Sequence, residues 1–471
     1  MMNKLTSCRF DKVNDSIRIF SYGILLVFLS QGALIAQNVP AATDLRIYDI
    51  IKDVSPGRLQ HDIQTLVDFG TRHTLSDTVS QTRGIGAARR WIKAELDRVS
   101  ADCGGCLEVS YMSGIIEEGE SRRIPVRTNI VNVLAIKRGT LYPNNYIIMS
   151  GDIDSRVSDP LDGSSDSPGA NDNATGMAGV IEAARVLSKY DFPQSIIFVG
   201  LSGEEQGLFG GKIMAQKIKE MGWNVIGILN NDMIGNIHGI DGVIDNRTFR
   251  IFSEATSPGE NEQKRIWKRF YGGEVDGISR QLARYVHRMT STYMPEMNPM
   301  LIYRLDRFGR GGHHRPFNDE GFAGIRIMEA HENYNMQHQD LRTEDGIAYG
   351  DVISGVDFDY TAKLTAVNAI NLAAIAWAPE PPKGLMIGGA VRPSTRLKWD
   401  ASTDSHVIGY KVYWRETTAP QWQHSRFVGK VDEFTLEGVV IDNFLFGVSS
   451  VSADGHESVV AYPTTLIPRR G

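Results

Sequence analysis

The sequence predicts an α/β protein: a mostly parallel central sheet flanked by helices, followed by a C-terminal all-β sandwich. Three observations carry this. Between about residues 57 and 378, helix-like and strand-like pieces alternate, and several strands are apolar throughout, as in Ser195-Ile196-Ile197-Phe198-Val199-Gly200. Strands buried on both faces by covering helices read this way. Pro379-Glu380-Pro381-Pro382 then marks a linker. Beyond it come short alternating strands spaced by polar turns, with no helix apparent.

Taken in order, the N-terminus lies outside the fold. Lys4, Arg9, Lys12 and Arg18 precede the apolar stretch from Phe20 to Leu29, and the small residues Gly32, Ala33 and Ala36 follow. This is the layout of a secretory signal peptide over residues 1–36. The apolar core is short for a membrane span, so an uncleaved anchor is the lesser alternative. Export to the periplasm, the cell surface or the medium is the expected location. Residues 83–99 have helical spacing and lead into Cys103-Gly104-Gly105-Cys106. In an exported chain that motif reads as a local disulfide rather than a redox site.

Strands are expected at residues 130–136, 146–149, 195–200 and 225–230, with a helix over 177–187. Residues 237–312 read as an insertion or lid, with a charged helix-like run from Gly277 to Met289. The domains expected are therefore 37–378 and 379–471, the second with Trp399 in its core. A chain of 471 residues is too long for one ordinary core. A net charge of −6 without a long basic run argues against a nucleic-acid partner.

Acidic residues recur where strands should end. Asp152 and Asp154 lie in "SGDIDSR", Asp172 in "PGANDNATG", Glu204 and Glu205 in "GLSGEEQG", and Asp232 in "NNDMIGN". His338 lies in "NYNMQHQD". In an open parallel sheet, ligands collect beyond the carboxyl ends of the strands. One acid there is usually a turn former or a cap. Several converging carboxylates would repel one another, and divalent cations remove that penalty.

These segments resemble, in chain order over residues 60–378, the co-catalytic zinc peptidases that include bacterial leucyl aminopeptidases, glutamate carboxypeptidase and the glutaminyl cyclases. "FGTRHT" and "TRGIGAARRWI" open the likeness. It implies Asp172 as a carboxylate bridging two metals, Glu205, Asp232 and His338 as further ligands, and Glu204 as general base. "GGHHRPFNDEGF" is similar to the segment lining the substrate pocket, with His313 and His314 beside the site and His314 a candidate oxyanion donor. The family carries His-x-Asp where this chain has Asp152-Ile153-Asp154. Asp152 is carried over as a ligand with Asp154 behind it; a turn-forming role for Asp152 is the alternative.

Two divalent ions are thus expected. Zinc leads, and manganese or magnesium suits the oxygen-rich Asp152 side. His331 competes with His338 for the late ligand position, and Arg304, Arg307 and Arg310 are either a solvated face or a binder of substrate carboxylate. The C-terminal region resembles a fibronectin type III domain and is expected to dock or to tether the enzyme to a surface or polymer. The leading reading is a secreted metal-dependent aminopeptidase acting on peptides. The alternatives are a glutaminyl cyclase and a non-catalytic surface-binding protein.

Overall fold

The computed structural model describes residues 40, 41, 43–271 and 276–468. The signal peptide expected at 1–36 lies outside them. Helices α1 (Leu45–Asp53), α2 (Pro56–Asp68) and α3 (Gly84–Asp102) come first. There follow β1 (Glu108–Ile116), β2 (Thr128–Lys137), β3 (Tyr142–Asp152), α4 (Gly176–Leu187), β4 (Gln194–Leu201), α5 (Phe209–Glu220) and β5 (Asn224–Asn231). Next are β6 (Thr248–Phe252), α6 (Glu262–Tyr271), α7 (Ile278–Tyr293), β7 (Asn298–Ile302), α8 (His314–Asp319), β8 (Gly324–Glu329) and α9 (Phe358–Trp377).

One eight-stranded sheet runs in the order β1-β2-β4-β3-β5-β8-β6-β7. Its centre, β4-β3-β5-β8, is parallel, as the apolar strands predict. Both flanks join it antiparallel, through β2 on one side and β6 on the other. Cys103 and Cys106 form a disulfide just after α3. Among the described residues no helix is long and apolar enough to cross a membrane.

The stretch 237–312 is more than the lid expected of it. It contributes β6 and β7 to the sheet and α7 to the layer beside it. The face of α7 that carries Leu282, Ala283 and Val286 is buried in the main core.

Register places the site. Asp152 at the end of β3 lies opposite Leu201 at the end of β4, and Gly151 lies opposite Asn231 at the end of β5. Three parallel strands therefore stop at one level, and the loops leaving them carry Asp154, Glu204, Glu205 and Asp232. The loop before α4 brings Asp172 to the same level. A Cβ on Gly151 would come within 2.6 Å of the backbone of Gly176, so this close approach of strand and helix requires glycine.

Beyond residue 379, two small sheets of four and three strands enclose their own core around Trp399, Tyr410, Val412 and Val448. This region is fastened to the first through buried charge. Asp276 accepts from Arg284 at 2.5 Å and from Arg415 at 2.9 Å, and all three side chains are almost wholly buried. Arg288 reaches Glu457 at 2.9 Å. Removing one partner would leave a buried charge uncompensated, so these pairs fix how the two regions meet.

Candidate metal centre

Asp172, Glu205 and His338 converge above the sheet. His338 Nε2 lies 2.9 Å from Asp172 Oδ2 and 2.8 Å from Glu205 Oε1. One ligand atom from each residue lies within 4.8 Å of the others, the only such trio among the described residues. One nitrogen and two carboxylates suit zinc and other borderline divalent ions. The set therefore fits a metal on its chemistry.

Arg156 braces this trio. Its Nε donates to Glu205 Oε2 at 2.7 Å, and its Nη2 lies 2.7 Å from His338 Nδ1. A guanidinium can only donate, so His338 Nδ1 is the acceptor and the ring proton sits on Nε2, between the two carboxylates. Burial opposes a charge on His338, while Glu205 and Asp172 favour a proton on the ring nitrogen that faces them. A metal taking Nε2 must displace this proton. Asp351 supports the Asp172 loop by accepting from the backbone N–H groups of Asn171 at 2.8 Å and Asp172 at 2.6 Å.

Asp154 does not stand behind Asp152. It accepts from Thr74 Oγ1 at 3.0 Å and from the backbone N–H groups of Glu204 at 3.2 Å and Glu205 at 3.1 Å. It therefore holds the Glu-Glu turn in place. The Glu204 side chain makes no hydrogen bond among the described residues and lines a cavity of about 450 Å³ beside the trio. Burial, then the neighbouring Glu205, pushes the Glu204 carboxyl well above the ordinary range.

Asp152 and Asp232, expected as ligands, are engaged elsewhere. Asp152 Oδ2 accepts from Asn173 at 2.8 Å, and its Oδ1 lies 2.5 Å from His313 Nδ1. Burial holds the His313 pKa down at about 4, so this ring is neutral and its Nε2 is left buried without a partner. Asp232 Oδ2 is ion-paired with the fully buried Arg326 at 2.8 Å, while its Oδ1 has no partner. Arg326 also holds Asp306 at 3.0 Å. The second metal position expected from the sequence is therefore not assembled like the first.

The remaining histidines separate clearly. His331 pairs with Asp241 at 2.7 Å, away from the trio, which leaves the late position to His338. His314 Nε2 meets the carbonyl oxygen of Leu305 at 2.8 Å. Neither His313 nor His314 lines the cavity, so the structure does not place His314 as an oxyanion donor. Arg307 is tied to Asp306 and Glu332, and Arg310 opens onto the cavity.

The chain belongs to a family of metal-dependent peptidases. A model described as Peptidase family M28 matches residues 132–352. A probable zinc metalloprotease of Leptosphaeria maculans is 42% identical over 426 residues, covering 90% of this chain and 98% of that relative. One from Pyrenophora teres f. teres is 41% identical over 430 residues, 91% of this chain and 88% of the relative. Among solved structures, Legionella pneumophila LapA aminopeptidase superposes with a TM-score of 0.52 at 16% identity, over 74% of this chain and 79% of that one. LapB of the same organism gives 0.51 at 16% identity, over 76% and 82%. At that identity these structures bear on the fold alone.

Proposed function

We propose that the chain is an exported aminopeptidase that removes N-terminal residues from peptides, with Glu204 as general base and zinc held by Asp172, Glu205 and His338. The observation that carries this reading is the pairing of a braced trio with one unpartnered carboxylate, Glu204, facing the same cavity. The likeness of the site segments to the leucyl aminopeptidases supports the choice of substrate end.

A divalent ion held by Asp172, Glu205 and His338 would supply Lewis acidity and lower the pKa of water to about 7. The chain's own residues do the rest. Glu204 accepts the proton of the attacking water and returns it to the leaving amine. Asp154 prevents the Glu-Glu turn from drifting, and Arg156 prevents Glu205 from turning toward solvent. Asp152 and Asp232 would hold a second, weaker ion once His313, Asn173 and Arg326 released them. The C-terminal region is proposed as a fibronectin type III-like module, on the strength of its two sheets and its core around Trp399.

The test is product analysis on one peptide supplied with a free and with an acetylated amine. Release of single N-terminal residues from the free form, and none from the acetylated form, is expected. Cleavage inside the acetylated peptide would overturn the aminopeptidase assignment. Ammonia release without shortening of a glutamine-initiated peptide would favour the cyclase.

A further inference from the structure

The charges lining the cavity fall into two sets. At its base Asp172, Glu204, Glu205 and Asp232 meet Arg156, Arg307 and His338; Arg156 and His338 are committed to Glu205 and Asp172, and Arg307 to Asp306 and Glu332. Toward the mouth stand Arg123, Lys212, Arg310 and Arg315, against the single carboxylate of Asp319.

The mouth cations are poorly matched. Arg123 and Lys212 have no carboxylate within 4.0 Å among the described residues. Arg123 Nη1 donates only to the carbonyl oxygen of Glu205, at 2.6 Å. Lys212 Nζ lies 4.7 Å from the centre of the Phe209 ring. Arg310 stands 3.7 Å from Glu332, which Arg307 and Arg250 already hold at 2.8 Å. Arg315 reaches Asp319 only at 3.8 Å. Burial, and then the neighbouring Arg315, lowers the Lys212 pKa, so two like charges are held close together.

This concentration of positive charge sits on a chain of net charge −6, so it is not a sample of the general surface. Gly207, Gly309 and Gly311 line the same wall and leave room beside the cations. Placing like charges around a concave opening raises the local concentration of anions. A divalent ion at the base would make the opening still more attractive to them.

We infer that the mouth of this cavity binds a substrate carboxylate, borne one or two residues beyond the scissile bond, through Lys212, Arg310 and Arg315, with Arg123 adding to the field. This deepens the peptidase reading and rests on it. The same chemistry has two sources: the C-terminal carboxylate of a short peptide, or an acidic side chain in a longer one.

Four peptides with the same first residue separate these: leucyl-glycyl-glycine, its amide, leucyl-aspartyl-glycinamide and leucyl-lysyl-glycinamide. Binding is read by calorimetry on the zinc-loaded full chain carrying Glu204→Gln, so that it does not depend on turnover. At least one carboxylate-bearing peptide is expected to bind about ten-fold or more tighter than both the neutral amide and the lysyl peptide. The arm that gains names the source. The advantage should shrink in about 0.5 M salt, where charges are screened beyond a few ångströms. It should also collapse when Lys212→Ala and Arg315→Ala are combined. Equal binding of all four peptides, or preference for the lysyl peptide, overturns the inference. Cleavage by the unsubstituted enzyme is scored separately. Failure to cleave any of the four would count against the peptidase reading and leave the binding result to decide the inference.

Discussion

Glu204→Gln is expected to lower kcat by about 10²–10⁴-fold, the usual contribution of a positioned proton acceptor. The substitution preserves size and removes only the ability to take a proton. Glu204 is bound to no other side chain among the described residues, so its loss leaves no partner stranded. Metal content and thermal stability should therefore stay near those of the unsubstituted protein. The check is kcat and KM on an aminoacyl peptide, beside metal analysis of the same sample. A variant that kept full activity would remove Glu204 from the mechanism. One that lost its metal would show that the carboxylate is a ligand.

His338→Ala should act on the metal instead. The ring supplies the only nitrogen of the trio and touches both carboxylates. Its removal leaves two acids and Arg156, a set that suits an ion pair better than zinc. Zinc affinity should fall by well over about 100-fold, since loss even of an outer partner of a ligand costs about 10–100-fold. Activity should fall with it and return in part at high zinc. Competition with a chromophoric chelator reads the affinity directly. An unchanged affinity would mean that the ion sits elsewhere.

Much of this was legible in the sequence. Strands β3, β4 and β5 are buried on both faces, and a strand in that setting is a plain apolar run. Their acidic successors could be read as converging because parallel strands end at one level. The flank was harder. β6 reads Thr-Phe-Arg-Ile-Phe, with Arg250 in its middle, and β7 contains Pro299. Both are five residues long and lie at the antiparallel side, where neither periodicity nor length distinguishes a strand from a loop.

The site shows the same division. Residue types that hold metals stood out, whereas residues that decide how they are used did not. Arg156 is visible in "SGDIDSR", but its partner His338 lies 182 positions away. Arg326 sits in the strand Gly-Ile-Arg-Ile-Met-Glu, and only the fold shows that it reaches Asp232. Asp152 keeps the position of a ligand in the sequence pattern. In space it faces His313 and Asn173, a contact that spacing along the chain does not encode.

The metal content of the purified protein after exhaustive dialysis, taken with that of Asp232→Asn, tests the central claim most directly. The account predicts one zinc per chain in both, because Asp172, Glu205 and His338 form the tight position and Asp232 is held by Arg326. Absence of retained metal in the unsubstituted protein, or its loss in Asp232→Asn, would contradict it.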